Sequence, residues 1–363
     1  MIYIAFFILF FTVIQLLVAL ANLVFEPKLP EQQINYNQLV SILIPARNEE
    51  NNIQNILNDL ANQNYQNIEV IVFNDQSSDK TAEIVEEFAK NDCRFKLINS
   101  DNLPAGWLGK NYACYSLSKY ANGNYLLFLD ADVRVCNDII INAIAYSEKY
   151  KLGLLSIFPK QIIQSIGEKI TVPNMNFILL SLLPLILVRS SKNYSFAAAN
   201  GQFMLFKSST YSATNPHEIM KSNKVEDIAI AQFYKKKSIA IACLVGNESI
   251  QCRMYSGFNE AVNGFSKNVI AFFGNSFITA ILFWITTTFG FLFVLFTMSL
   301  PIFIVYLSIY LTTRLFISFI SKQNILYNIL YFIPQQFSCG LFIYKAFINK
   351  FVSKFQWKGR SID

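Results

Sequence analysis

The sequence predicts an α/β domain, a mainly parallel sheet covered by helices, tethered to a membrane at both ends. Three observations carry this. Apolar, β-rich runs alternate with helix-like stretches from residue 39 to about 156, the pattern of strand–helix–strand units. Residues 2–25 contain no charged side chain, and neither do residues 269–313. An apolar run of about 18 residues or more reads as a membrane span, and the second tract is long enough for two. Between these tracts Asp, Glu, Lys and Arg are interspersed, as on a globular surface.

The elements follow in order. Residues 1–25 lack a basic start, and their apolar part exceeds the roughly 7–15 residues of a cleaved leader's core, so they read as a signal anchor. "LVSILIP" (39–45) is the first strand, and Asn48 and Glu49 open a helix to about Asn62. "IEVIVFN" (68–74) is the second strand, followed by a helix from Asp79 to about Lys90. "FKLIN" (95–99), a helix at 110–121 and "YLLFL" (125–129) complete the regular part. "NFILLSLLPLILVR" (176–189) is short for a span and long for an exposed loop. It reads as a membrane-dipping segment, with a buried helix of the globular domain nearly as well supported.

Residues 257–268 place Phe258, Val262 and Phe265 on one helical face, which suits a helix lying at the membrane surface. Two spans fit at 270–297 and 302–320. Arg314 in the second would cost about 2.5–3.5 kcal/mol at mid-bilayer, so it faces another helix or snorkels. In 325–344 a polar stripe of Asn324, Asn328, Tyr331, Gln335 and Ser338 marks a segment that packs against the bundle or lies at the interface without fully crossing. The basic tail, with Lys345, Lys350, Lys354, Lys358 and Arg360, suits the cytoplasmic leaflet.

Composition excludes several chemistries. The chain has 363 residues, is 53% hydrophobic and carries 34 Phe, too apolar for an ordinary soluble enzyme. Its six cysteines form no CxxC pair and no zinc-ligand spacing, so they read as reduced, mostly buried thiols. The single histidine, His217, disfavours a His-based metal site or a Ser-His-Asp triad. Any metal is held by oxygen ligands, which points to Mg²⁺ or Mn²⁺. The net charge of +6 comes partly from the tail. No basic and aromatic array marks the globular part, so a nucleic-acid partner is not expected. No GxGxxG follows the first strand and no GxxxxGK[ST] loop occurs, which disfavours nicotinamide-binding and P-loop folds.

In parallel sheets ligands bind beyond the carboxyl ends of the strands. Here those ends read Pro45-Ala-Arg47-Asn-Glu49, Asn74-Asp75-Gln-Ser-Ser-Asp79, Leu103-Pro-Ala-Gly-Trp107-Leu-Gly109-Lys110 and Asp130-Ala-Asp132. Unpaired carboxylates are costly to bury, so the last pair emerges where its strand leaves the core. It is either a solvated turn or a ligand pair. Asp79 reads as a helix N-cap.

"VSILIPARNEENNI", "VIVFNDQSSDKT", "PAGWLGKNYA" and "LLFLDADVR" together resemble the family 2 glycosyltransferases of the GT-A fold, over roughly residues 38–268. The GWLGK segment and the flanking spans resemble most the subgroup that glycosylates terpenoids, the carotenoid-acid (diaponeurosporenoate-type) and hopanoid-related enzymes. The resemblance implies a nucleotide-sugar half at 38–156, an acceptor half with an interfacial helix at 157–268, membrane segments at 269–345 and a basic cytoplasmic tail at 346–363. It implies a nucleotide-sugar donor, by default UDP-glucose, bound through Pro45, Arg47, Glu49, Asp75, Gly109, Lys110 and Asp130. Asp75 reads the base, Asp130 lies toward the ribose, and Asp132, with Asp130, holds the Mg²⁺ or Mn²⁺.

"KVEDIAIA" (224–231) matches the family's E-D motif. Its Asp227 is implied to be the general base, with Glu226 orienting a neighbour, although acidic residues in a first helical turn also complement the helix dipole. "NGQFMLF" (200–206) is implied to shape the acceptor pocket through Gly201 and Gln202, with Trp107 and Tyr255 on the same side. Processive relatives carry Q-x-x-R-W. Here Gln251-Cys-Arg253-Met-Tyr255 departs from that spacing and replaces the tryptophan, so Arg253 is expected to face the diphosphate in a single-transfer enzyme. "WKGR" (357–360) resembles the family's terminal motif. The implied function is an inverting, non-processive transfer of one sugar to a lipophilic carotenoid-acid-like or other terpenoid acceptor, with the catalytic domain on the cytoplasmic side of the membrane. A polyprenyl-phosphate glycosyltransferase and a non-catalytic membrane scaffold are the alternatives.

Overall fold

The strands are β1 (Val40–Ala46), β2 (Ile68–Asn74), β3 (Phe95–Asn99), β4 (Tyr125–Leu129), β5 (Val133–Val135), β6 (Leu154–Phe158), β7 (Lys160–Gln161), β8 (Phe203–Lys207), β9 (Ile241–Val245) and β10 (Ile250–Cys252) in a computed structural model. It describes residues 1–25, 28–29, 36–136, 138–352, 356–357 and 360–361. Seven strands form one sheet in the order β3-β2-β1-β4-β8-β6-β9, and β5-β10-β7 form a small second sheet. The large sheet is mixed, because β8 runs antiparallel to both β4 and β6. β1, β2 and β4 are buried along their whole length, as continuous apolar runs in a sheet covered on both faces should be.

Helix α1 (Ile2–Val24) precedes the sheet, and α2 (Ile53–Ala61), α3 (Thr81–Asn91), α4 (Gly109–Tyr120) and α5 (Ile139–Lys149) follow its strands. The long connection from β7 to β8 holds α6 (Ile166–Thr171), α7 (Pro173–Leu182) and α8 (Ile186–Ser190). Helices α9 (Ser208–Thr214), α10 (Pro216–Ile219) and α11 (Glu226–Lys236) lead from β8 to β9. After β10 come α12 (Phe258–Asn268), α13 (Phe277–Thr297), α14 (Leu300–Ile320), α15 (Ile325–Leu330) and α16 (Phe332–Val352). The expected helix start at Asn48 moves to Ile53, because Asn48 takes a left-handed φ of 52° and residues 50–52 turn before the helix begins.

Register aligns the strand ends that matter. Ala46 pairs with Asn74, and Asn74 with Asn99. Leu43 lies opposite Phe128, so Asp130, two residues on, is level with Pro45. The loops leaving β1, β2 and β4 therefore open onto one rim.

Among the described residues, α1, α13 and α14 are long and apolar enough to cross a membrane. Helix α1 is inside out: it buries Ala5, Thr12, Gln15, Ala19 and Asn22 and exposes Phe6, Phe7, Phe10, Leu17 and Leu20. Small and polar residues at helix–helix contacts with large apolar ones facing outward are what a lipid environment selects.

Residues 176–189 form α7, α8 and the turn between them. Phe177 to Ser181 are buried, and the segment is bonded to α1: Asn22 Nδ2 donates to the carbonyls of Leu180 and Leu183, and Asn22 Oδ1 accepts from Leu185 N–H at 2.7 Å. Its first half is covered by protein, and the segment is wedged against α1. The apolar face of α12 is turned toward α16, where Phe265 packs on Phe342 at 5.1 Å. Amphipathic spacing marks a buried face without saying what covers it.

Arg314 does face another helix. It donates to Gln335 Oε1 at 2.7 Å and to the Tyr310 hydroxyl, with its guanidinium over the Phe177 ring. Asn328, Gln335 and Ser338 of the predicted polar stripe thus pack into the bundle, where Asn328 donates to Ser318 Oγ and Asn174 Nδ2 donates to Ser338 Oγ, while Asn324 is exposed and caps α15. Gln335→Leu removes an acceptor from a buried charged donor, a loss of about 1–3 kcal/mol or more. A lowered midpoint in thermal unfolding in detergent is the expected result. Of the basic tail, Lys354, Lys358 and the Gly359 of "WKGR" lie outside the described residues.

Candidate active site

Two loops join first. Asn48 Oδ1 accepts from Ser78 N–H at 2.9 Å, Asn48 N–H donates to Ser77 Oγ, and Arg47 Nη1 donates to the Asp75 carbonyl at 2.6 Å. Pro45 is buried in β1 and Asp75 is buried just past β2. Glu49 Oε2 accepts from Asn52 Nδ2, and Glu49 N–H donates to Thr81 Oγ1. Asp79 accepts from the N–H groups of Thr81 and Glu50; it stands one residue before the N-cap of α3, which is Lys80 rather than the expected Asp79.

The second wall is the loop before α4. Gly106 has φ 79°, a left-handed conformation that glycine adopts without strain. Trp107 packs on Tyr115 and edge-on to Tyr112 of α4. Gly109 is buried at the start of α4, and the buried Asn111 Nδ2 donates to the carbonyls of Met220 and Asn223. Leu108 N–H donates to the Lys221 carbonyl at 2.8 Å. These bonds clamp the segment leading into α11 against α4, and so bring Glu226 to Lys110.

Lys110 is the hinge of the charge network. Its Nζ lies 2.9 Å from Asp130 and 3.5 Å from Glu226. Burial works against its charge, yet Asp130 and Glu226 outweigh burial and hold the ammonium well above the ordinary lysine range. An ideal Cβ on Gly201 would stand 3.1 Å from Lys110 Nζ, 3.4 Å from Glu226 Oε1 and 3.7 Å from Asp227 Oδ2. The bare glycine therefore leaves room at the point where Lys110, Glu226 and Asp227 converge.

Asp227 is fixed from two sides. Its Oδ2 accepts from Gly201 N–H at 2.9 Å, and its Oδ1 from Ile228 N–H at 2.8 Å. Burial, and then the neighbouring Glu226, push its carboxyl up to about 7. A carboxyl in that range is matched to taking a proton near neutral pH. If Asp227 is the base that the sequence resemblance implies, the rate of sugar transfer should rise with pH up to about 7 and level off as Asp227 loses its proton. Glu226 and Lys110 are the charged groups that act on it. A rate flat from pH 5 to 8 would contradict the assignment.

Asp132 lies deeper. Burial first, then Asp130 and Glu49, raise its carboxyl to about 7, and its Oδ1 is buried without a hydrogen-bond partner. Behind it Gln202 Nε2 donates to Cys252 Sγ at 2.8 Å, leaving Gln202 Oε1 without a partner. Tyr255 packs on Phe265, its hydroxyl pushed up by burial and by Asp132. Orphaned buried oxygen beside like charge fits a divalent cation with oxygen ligands. Among the described residues no group of three His, Cys, Asp or Glu side chains gathers around one point. Such a cation would need ligands from a bound molecule.

Arg253 pairs at 2.8 Å with Glu168, whose side chain is fully buried. Glu168 also accepts from Gln164 N–H and Ser165 Oγ. Sequence reasoning missed Glu168 and Asn111. The first was detectable as the S-x-x-E of a capping box at Ser165; nothing local marked the second. His217 is a core residue, bonded to the Tyr211 hydroxyl and driven down to about 3 by burial.

The class of the molecule now follows. A mainly parallel mixed sheet with acidic strand ends on one rim is the fold of GT-A-type transferases. The chain shares it with a mannosyltransferase from Pyrobaculum calidifontis, solved in complex with GDP-Man and Mn²⁺, at TM-score 0.59 and 15% identity, over 96% of this chain and 99% of that one. Residues 41–210 match the family model described as Glycosyl transferase family 2. The chain is related to the 4,4'-diaponeurosporenoate glycosyltransferases of Staphylococcus haemolyticus (29% identical over 239 residues) and Staphylococcus aureus strain USA300 (27% over 272). The matches cover 64% and 71% of this chain, and 61% and 69% of the two relatives.

Proposed function

We propose that this chain is an inverting, non-processive membrane glycosyltransferase that moves one sugar from a nucleoside-diphosphate sugar, by default UDP-glucose, to a lipophilic acceptor such as a carotenoid acid or other terpenoid. The observation that carries this is the meeting of Asp130, Lys110, Glu226 and Asp227 around Gly201. The Lys110 ammonium lies between Asp130 and Glu226, beside the proposed base Asp227, which supports a donor side and an acceptor side meeting here.

In this reading Asp75, Arg47 and Glu49 line the nucleotide end, and Lys110 supplies positive charge to the diphosphate. Asp132, with Asp130, would hold Mg²⁺ or Mn²⁺, which when bound stabilises charge on the leaving diphosphate. Asp227 takes the acceptor's proton as the acceptor oxygen attacks C1. The new C1–O bond forms, the bond to diphosphate breaks, and the configuration at C1 inverts. An acid arriving from an apolar phase favours its neutral form, so a carboxylic acceptor also gives the base a task.

The acceptor's apolar character is supported by what the acceptor half touches: α7 is bonded to α1, and α12 packs on α16. Orientation is supported by charge. Lys28, Lys267 and Lys322 flank the domain-side ends of α1, α13 and α14, whereas the α13–α14 turn at Met298 and Ser299 carries none. Basic residues mark the cytoplasmic side. The test is incubation of membranes containing the full chain with radiolabelled UDP-glucose, Mg²⁺ or Mn²⁺ and a terpenoid-acid acceptor. Label extracted into organic solvent is the expected result. Label confined to water-soluble products would contradict the reading.

A further inference from the structure

A cavity of about 370 Å³ opens between the small sheet, α6 and the loop joining α14 to α15. Gln251 lines it, on the strand next to Cys252, whose side chain instead meets Gln202 behind Asp132. Three lysines stand around it: Lys160, Lys169 and Lys322. Lys160 is paired with Glu248 at 2.6 Å. Lys169 lies over the Tyr327 ring at 4.0 Å and Lys322 over Phe319 at 5.2 Å; neither makes an ion pair among the described residues.

Two further lining groups are buried amides with an unused atom each. Gln161 Nε2 donates to the Pro159 carbonyl, but Gln161 Oε1 has no partner. Gln323 Oε1 accepts from Asn328, but Gln323 Nε2 has none. Buried amide atoms are rarely left unsatisfied. Together these groups offer two cations, one donor and one acceptor. Beside them Phe319, Leu326 and Leu330 stand exposed at the end of α14 and on α15, an apolar surface for chains.

We infer that this cavity binds the headgroup of an anionic glycerophospholipid. The phosphate lies toward Lys169 and Lys322, a headgroup hydroxyl donates to Gln161 Oε1, Gln323 Nε2 donates to a phosphate or ester oxygen, and the acyl chains run along Phe319 and Leu330. The site is separate from the sugar-transfer centre and does not rest on that reading. It would lock the domain-side end of α14 to the catalytic domain through a lipid.

The test incubates the purified full chain in detergent with equal amounts of phosphatidylglycerol and phosphatidylcholine and measures bound lipid by native mass spectrometry. Preferential retention of phosphatidylglycerol is expected. Lys169→Gln/Lys322→Gln should lower that preference by about five- to twentyfold, from the typical contribution of each lysine to anionic-lipid binding. Gln323→Leu, which keeps the charge, should also weaken it. Lys90→Gln/Lys119→Gln, which removes equal charge from α3 and α4, should not. No headgroup preference, or equal loss in both double variants, would overturn the inference. Binding of glycerol 3-phosphate as tight as that of phosphatidylglycerol would overturn the lipid as the source. Circular dichroism separates loss of the site from loss of the fold.

Discussion

Asp227→Asn is expected to keep nucleotide-sugar binding and to lower transfer by roughly 10²–10⁴-fold, the usual contribution of a general base. The side chain is held by the N–H groups of Gly201 and Ile228. The amide oxygen of Asn can accept one of these bonds, so its position is kept while its basicity is lost. In the proposed reading the donor is held by groups at the ends of β1, β2 and β4, so its affinity should barely change, which titration of UDP-sugar would show. Near-normal transfer by this variant would shift the reading to a phosphate acceptor, which arrives already ionised and gives a base nothing to do.

Asp132→Ala is expected to abolish turnover and metal-dependent donor binding without unfolding the chain. Its Oδ1 is buried and unpartnered beside Asp130 and Glu49. A carboxyl raised to about 7 means that its charged form is disfavoured in the fold, so the stability cost appears as pH rises from about 4 to about 7 and persists above. Alanine removes that cost, and the thermal midpoint at neutral pH should hold or rise. Activity of the native chain surviving EDTA would contradict the metal role. So would a variant that loses its fold together with its activity.

Much of this was legible beforehand. The second, third and fourth strands fall at 68–74, 95–99 and 125–129, because short β-rich runs bounded by turn residues carry a strong local strand signal. The aspartates at 130 and 132 and the pair at 226 and 227 were legible as motifs. What joins them was not. The Asn111 clamp on Met220 and Asn223 spans more than a hundred residues, and no local pattern announces such a contact. Arg253 was expected toward the diphosphate, and here it pairs with Glu168, a partner that only the packing of α6 supplies. The face of α12 was readable but its cover was not, since α16 competes with lipid for the same apolar stripe.

The central claim is that one sugar goes to one membrane-dissolved acceptor. Mass spectrometry of lipid extracts from cells with and without this chain tests it most directly. The account predicts a new apolar species heavier by a single hexose, absent when Asp227→Asn replaces the native chain. An extracellular polysaccharide, or a water-soluble glycoside with the lipids unchanged, would contradict it.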